Sequence, residues 1–326
     1  MPPPPDRPAK RCTAKQFTEW RARWSGIEPD DALRNSPFGT TEEGLLDFRG
    51  LTMRKPGPGF FKTFNHAQFK GCDFTAASFA ETNCYHCIFQ DCVFDYTDLN
   101  NFGDYGCNFT NCRFHRGEWQ VGAIGFGSNT ATRGEYQSRY INCHFENIKL
   151  NKTGIGDPQF IDCSFVFKKL SGIDFGCSGF VACRFIGAFQ DLTFRGTYTR
   201  EDERARKGTP EFAGFTDVSF EHAALQWIDH RDGFPVHVVT MPADGTAFTA
   251  DRPRLCADRE TLLASLADEP SRRILTNYLE IICSRQIMQP LKIISRFDLT
   301  ECAEKGEDSA VDTLYNILKS TYAKPT

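Results

Sequence analysis

Between Cys72 and Phe94 the chain reads CDFTAASFAETNCYHCIFQDCVF. Phe74, Phe79, Phe89 and Phe94 fall there on one five-residue grid, with Cys84 in the remaining place. Carried outward, the grid holds Phe64, Phe69, Phe74, Phe79, Cys84, Phe89, Phe94, Leu99, Asp104, Phe109, Phe114 and Trp119. A second grid, shifted by one residue, holds Tyr140, Phe145, Leu150, Ile155, Phe160, Phe165, Leu170, Phe175, Phe180 and Phe185, and a short third block has Phe215, Phe220 and Leu225. A helix of 3.6 residues per turn would scatter such positions around its circumference, and a strand alternates at two. A square coil solves the problem. Each of its sides takes one step of the grid and turns one large side chain inward, and four steps close a storey.

The cysteines support that storey length independently. Cys72, Cys92 and Cys112 are spaced by 20, as are Cys87 and Cys107, and as are Cys143, Cys163 and Cys183. Each stands two residues before a grid place, where a second, smaller inward group is needed. A repeat at fixed period dictates architecture before local propensity does. The expected core is Phe69, Phe74, Phe79, Phe89, Phe94, Phe109, Phe114, Phe145, Phe160, Phe165, Phe180 and Phe185, with Cys72, Cys92, Cys112, Cys143, Cys163 and Cys183 beside them. Storeys would stack at roughly 4.8 Å, the spacing of paired strands. Asp104 breaks the rule, because an unpaired carboxylate in the lumen is costly. A bulge presenting Phe102 or Tyr105 in its place is expected.

The units Cys72-Asp-Phe-Thr-Ala, Cys92-Val-Phe-Asp-Tyr, Cys112-Arg-Phe-His-Arg and Cys163-Ser-Phe-Val-Phe resemble the pentapeptide-repeat family, whose small place more often carries Ala. The resemblance implies a mainly β fold, a right-handed quadrilateral β-helix, over about residues 44–228, with Leu45–Met53 as an opening turn. No enzyme activity and no cofactor are expected, because no Ser/His/Asp or paired-carboxylate arrangement stands out. The partner the resemblance implies is a protein, DNA gyrase or topoisomerase IV, bound by a rod that acts as a DNA mimic and whose loops help relieve topoisomerase poisons. The start of the chain, which lacks an export pattern, makes the cytoplasm the expected location.

Two interruptions are expected. His115–Arg139 contains five Gly and accounts for the one-residue shift of the grid. Arg195–Gly214 contains the charged run Arg200–Lys207. Loops on a rigid scaffold tend to carry binding, so Trp119, Phe126, Arg133 and Tyr136 are the candidate partner-binding residues of the first. Residues 1–43 read as a Pro-rich tail and a helical cap over Thr13–Trp24, with Phe17, Trp20 and Trp24 along one side. Residues 229–256 read as a linker or hairpin joining Val236–Thr240 to Thr246–Ala250. Residues 257–326 read as α-helical: Asp258 caps 259–267, Ser271 caps a long helix that Pro290 ends or kinks, and Ser309–Tyr322 follows. This end packs on the last storey, forms a homodimer, or does both. On an alternative reading the protein is a scaffold or effector whose C-terminal helices dock or dimerise and whose rod is only a spacer.

Composition narrows the function. The chain has 326 residues, a net charge of −4, and 30 Phe against 4 Trp and 9 Tyr. The charge is too mild for a basic nucleic-acid binder, so direct nucleic-acid binding is not expected. No apolar run approaches the ~18–20 residues of a membrane span, and MPPPPDRPAKRC lacks a secretory pattern. The 14 Cys are therefore expected as reduced thiols. Cys84-Tyr-His-Cys87 has the gap of a zinc half-site, but no second pair follows at ligand spacing, so no metal is expected. Gly122–Thr130 (GAIGFGSNT) lacks the Lys-Ser/Thr of a phosphate loop. No Ser/His/Asp set stands out. Charge divides along the rod: residues 60–112 carry two basic against six acidic residues, net −4, and residues 140–198 carry six against five, net +1. A mimic of duplex DNA should be acidic throughout, and only the first half is.

Overall fold

The computed structural model describes residues 13–25, 35–53, 61–125, 137–196, 214–231, 234–284 and 289–324. From Leu46 onward the backbone winds as a four-sided coil of short parallel strands. One side is a sheet of five strands, from Lys62–Asn65 to Gly154–Ile155. The next has seven, from Gln68–Lys70 to Phe215–Thr216. The third has six, from Arg113–His115 to Val239–Thr240. The fourth is a ladder of single bridges linking Thr52, Ser78, Asp98, Glu118 and Lys149. The coil thus runs past residue 228, the limit expected from the repeats.

Register explains the grid. Phe69, Phe89, Phe109, Tyr140, Phe160, Phe180 and Phe215 are successive partners on one side. Their rings stack at 4.8 Å (Phe69–Phe89), 4.7 Å (Phe89–Phe109) and 4.7 Å (Phe109–Tyr140). A second column rises from Phe48 through Phe74, Phe94, Phe114, Phe145 and Phe165 to Phe185 and Phe220. Such ring pairs contribute about 0.5–1.5 kcal/mol beyond area burial. Residues two after an inward ring take positive φ, as at His66, Asp91, Tyr96 and Asn111, and these left-handed residues make the corners.

The small place carries a second function that Ala could not supply. The Cys92, Cys112, Cys143, Cys163 and Cys183 thiols lie 3.2–3.4 Å from the carbonyl oxygens of Phe69, Phe89, Phe109, Tyr140 and Phe160 in the storey below. The Thr97 hydroxyl does the same to Phe74 O at 2.9 Å. Burial pushes the Cys92 and Cys112 thiols well above their usual pKa, so they remain S–H donors.

Above Cys163 the corner between two sides is lost, and Ser164–Ser171, Arg184–Gln190 and Val218–Gln226 run on as long strands. Gly187 (φ 109°) permits this, since a Cβ there would lie 1.8 Å from the Phe167 carbonyl oxygen.

Both ends are covered. Helix α1 (Ala14–Ala22) starts from a capping box at Thr13 and runs along one corner of the coil. Phe17 meets Tyr96 edge-on at 5.7 Å, Arg49 lies over the Trp20 ring, and buried Trp24 stacks on Phe48 at the foot of its ring column. Gly50 is required by the close pass, because a Cβ there would stand 2.5 Å from the Trp20 carbonyl carbon.

The far end differs from its sequence reading. Val239–Thr240 is the last rung of the coil, paired in parallel with Val218–Ser219. It therefore makes no hairpin with Thr246–Ala250. Instead Ala247–Asp251 pairs antiparallel with Leu291–Ser295, a strand inside the region expected to be wholly helical. Around this pair pack α2 (Arg252–Ala257), α3 (Arg259–Ser265), α4 (Glu269–Ile282), α5 (Arg296–Glu301) and α6 (Asp308–Tyr322). Asp268, not Ser271, caps α4, and α4 ends at Ile282, well before Pro290. Asp258 stands at the start of α3 without a side-chain cap bond; it accepts from the Tyr322 hydroxyl at 3.1 Å. This unit sits on the coil through Trp227 against Tyr278 (5.9 Å), Trp227 N–H to Asp298 (2.6 Å) and Lys292 Nζ to Ile228 O (2.9 Å). A Cys256–Cys283 disulfide ties the end of α2 to the end of α4. That corrects the expectation that every thiol is reduced.

Candidate interaction surface

The first excursion is shorter than its glycines imply. Stacked corners below it, Asp91 and Asn111, are separated by 20 in sequence, and the next pair across it, Asn111 and Asn142, by 31. Residues 126–136, which lie outside the described residues, account for that difference. Arg113–His115 and Ala123–Ile124 are regular rungs. Trp119 is fully buried, packed near Phe114 and donating its indole N–H to Phe102 O (3.2 Å). It is a core residue and not part of a partner-binding loop. Phe126, Arg133 and Tyr136 lie outside the described residues, as does the charged run Arg200–Lys207.

Asp104 is the residue that anchors the excursion. It points inward and is fully buried, and its strand keeps regular register, Cys84 opposite Asp104 and Tyr85 opposite Tyr105. The expected bulge is therefore absent. Phe102, two residues earlier, fills the lumen from the small place, while Tyr105 stays half-buried outside, stacked on Tyr85. The carboxylate accepts from Gly125 N–H (2.7 Å) and from the Tyr140 hydroxyl (3.0 Å), with Ser138 as a further donor. Gly125 is the last described residue before the excursion, and Ser138 and Tyr140 follow it. One buried carboxylate therefore bonds to described residues on both sides of 126–136. Burial pushes its pKa up to about 6, against the hydrogen bonds of Ser138, Gly125 and Tyr140.

Several acids counted as surface charge are not on the surface. Of the six between residues 60 and 112, Asp73, Asp95 and Asp104 are buried. Asp95 is paired with Arg113 (2.6 Å), and burial still raises it to about 6. Near α1, Asp47 is pulled the other way: burial raises it, but the hydrogen-bonded guanidinium groups of Arg23 and Arg49 outweigh that, and its pKa is lowered. One corner column is a ladder of amides, Asn142 to Asn111 (2.9 Å) and Asn111 to Asp91 (2.8 Å).

One constellation escaped the sequence because its members come from three storeys. Ser164 Oγ lies 2.7 Å from His144 Nδ1, and Glu146 Oε2 lies 3.6 Å from His144 Nε2 and 2.8 Å from His115 Nδ1. These are cross-strand neighbours of one ladder. The Ser164 N–H, which an oxyanion would need, is bonded to Cys143 O (3.0 Å), and the histidine–carboxylate distance exceeds a hydrogen bond. Among the described residues no group of three or more His, Cys, Asp or Glu has metal-binding geometry. Cys84 and Cys87 are both buried in the lumen. Among those residues no helix is long and apolar enough to cross a membrane.

Residues 64–102 match the family model for pentapeptide repeats, in 8 copies. The chain carries a pentapeptide-repeat domain. No curated protein matches the chain. Among solved structures the pentapeptide-repeat chain is similar to QnrB1, a plasmid-mediated fluoroquinolone resistance protein, at 14% identity and a TM-score of 0.26, covering 59% of this chain and 92% of that one. It is also similar to HetL, a pentapeptide-repeat protein involved in heterocyst differentiation regulation from the cyanobacterium Nostoc, at 10% identity and a TM-score of 0.28, covering 62% and 93%. Scores this low carry no functional weight. The pentapeptide-repeat assignment rests on the repeats and their stacked register.

Proposed function

We propose that this chain is a non-enzymatic, rod-shaped docking module whose faces and extruded segments bind a protein partner. The observation that carries this reading is the Asp104 anchor. A carboxylate is buried at a place of the shaft that elsewhere holds a large apolar side chain, and its partners are residues on both sides of 126–136. Burying an ionisable group is costly, and here it pins the point from which the extruded segment departs. Segments anchored on a rigid scaffold are where binding tends to reside.

A type II topoisomerase, DNA gyrase or topoisomerase IV, is the specific partner. Contact through the extruded segments is favoured over imitation of DNA charge, because half of the acids in the first storeys are buried. Supercoiling by gyrase, with and without a fluoroquinolone, is measured with and without this protein. The expected result is altered supercoiling or relief of the poison, lost when 126–136 is replaced by a short Gly-Ser link. No effect at micromolar protein removes topoisomerase. An unchanged effect after the replacement moves the contact off that segment. A gyrase partner implies action in the cytoplasm, where Cys256–Cys283 would have to persist against reduction. The C-terminal helices are engaged in packing on the coil through Trp227, which favours their capping role over service as a free dimerisation arm.

A further inference from the structure

Where the strands Thr82–Tyr85, Gly103–Tyr105 and Ala123–Ile124 meet the neighbouring corner, a shallow trough of ≈ 330 Å³ opens. Phe61, Tyr105 and Val121 rim it, Asn83 and Asn101 supply amides, Gly103 leaves its floor low, and no charged side chain lines it. Phe61 is 39% exposed and Val121 62%.

Val121 is hard to explain by folding. It is a corner residue with φ 55°, a conformation that costs a β-branched side chain most, and most of its apolar surface faces water. The equivalent corner one storey below is Asn101, a residue suited to that backbone. A strained, exposed valine beside an uncharged aromatic trough points to something that covers it.

The chemistry of the trough suits a polyproline II segment. Such a helix has no internal hydrogen bonds, offers its carbonyls to amide and phenol donors, and lays its rings against aromatic side chains. The chain holds a matching segment, Pro2–Pro5, four uncharged prolines ahead of α1. Its attachment point is close. Phe17 of α1 sits on Tyr96 and Trp24 under the first storey, so the start of α1 points up the rod. Tyr96 and Asn101 are successive corners of one storey. One side of five residues separates them, roughly 17 Å even if fully extended. The eight residues from Pro5 to Thr13 reach about 25 Å at ~3.1 Å per residue. We propose that this trough is a binding site for polyproline II peptide and that its occupant is the chain's own Pro2–Pro5. The inference is independent of the partner proposed above.

The test uses the full chain with Pro4 replaced by p-benzoylphenylalanine, irradiated and mapped by mass spectrometry. The expected cross-links fall on Tyr105, Val121 or their immediate neighbours. They disappear in Val121→Glu, which puts a charge on the rim, and they weaken when a synthetic oligoproline is added at millimolar concentration. Val121 is exposed, so the variant should melt as the parent does, and that measurement guards against a folding defect. Cross-links elsewhere, or cross-links indifferent to both Val121→Glu and oligoproline, overturn the site. In a mixture of isotope-labelled and unlabelled chains, products formed only between chains overturn the assignment of the occupant to the same chain.

Discussion

At the scale of single residues, Asp104 shows how a position that breaks a repeat can still obey its physics. The lumen excludes an unpaired carboxylate, but not one with three donors around it. Its folded pKa of about 6 lies above the ordinary 3.8, which sets the sign of its contribution. Between those values the folded chain holds a proton that the unfolded chain has released, so this group's contribution to stability rises as pH falls from 7.5 toward 4. Asp104→Asn keeps an acceptor for Gly125 N–H and removes the charge. Urea melts should show it more stable than the parent at pH 7.5, with the gap closing toward pH 5. A gap that widens as pH falls would contradict a raised carboxyl. Asp104→Leu restores the apolar grid but leaves Gly125 N–H and the Tyr140 hydroxyl without their acceptor. Such losses cost about 1–3 kcal/mol each, so this variant should be less stable than the parent. The same reasoning applies to the cysteines, whose thiols reach carbonyls of the storey below where an alanine methyl could not.

At the scale of elements, α1 is a cap made from very few contacts. None of the residues of α1 itself is buried, and its hold comes from Trp24 beyond its end, the Arg23–Asp47 pair and the close pass over Gly50. The Trp24 ring covers Phe48, packs edge-on to Phe38 at 4.9 Å, and donates to Arg49 O at 2.9 Å. Trp24→Ala should cost about 3–5 kcal/mol, the range for removing a large core aromatic. Storeys of a solenoid are coupled to nearest neighbours, so hydrogen exchange should accelerate most at 45–53 and progressively less by Phe109. Uniform acceleration along the whole rod would show that the end is not capped in this way.

At the scale of the whole molecule the described residues form two hydrophobic cores, the ring-filled shaft and the helical unit behind Ala247–Asp251. Trp227, Lys292 and Asp298 join them. The disulfide belongs only to the second, closing a 27-residue separation between Cys256 and Cys283. Replacing both by Ser should destabilise that unit by about 2–4 kcal/mol. Reductant should lower its melting in the parent and leave the double variant unaffected. Protection of the shaft at Phe69–Phe109 should hold. Loss of that protection on reduction would mean that the two cores unfold as one.

The amino-acid order alone determined the period of five, the inward places, the length of a storey and so the coil, down to which Phe and Cys lie over one another. It could do so because the ring contacts of the shaft join a residue to its equivalent one turn away or to the next inward residue five along, and a periodic contact leaves a periodic trace. The tertiary structure decided what has no period. The donors around Asp104, the corner along which α1 lies, the pairing of Ala247–Asp251 with Leu291–Ser295, the Cys256–Cys283 bond and the trough beside Val121 all join residues at irregular separations. The stability of each depends on which groups come within a few ångströms only after the chain has folded.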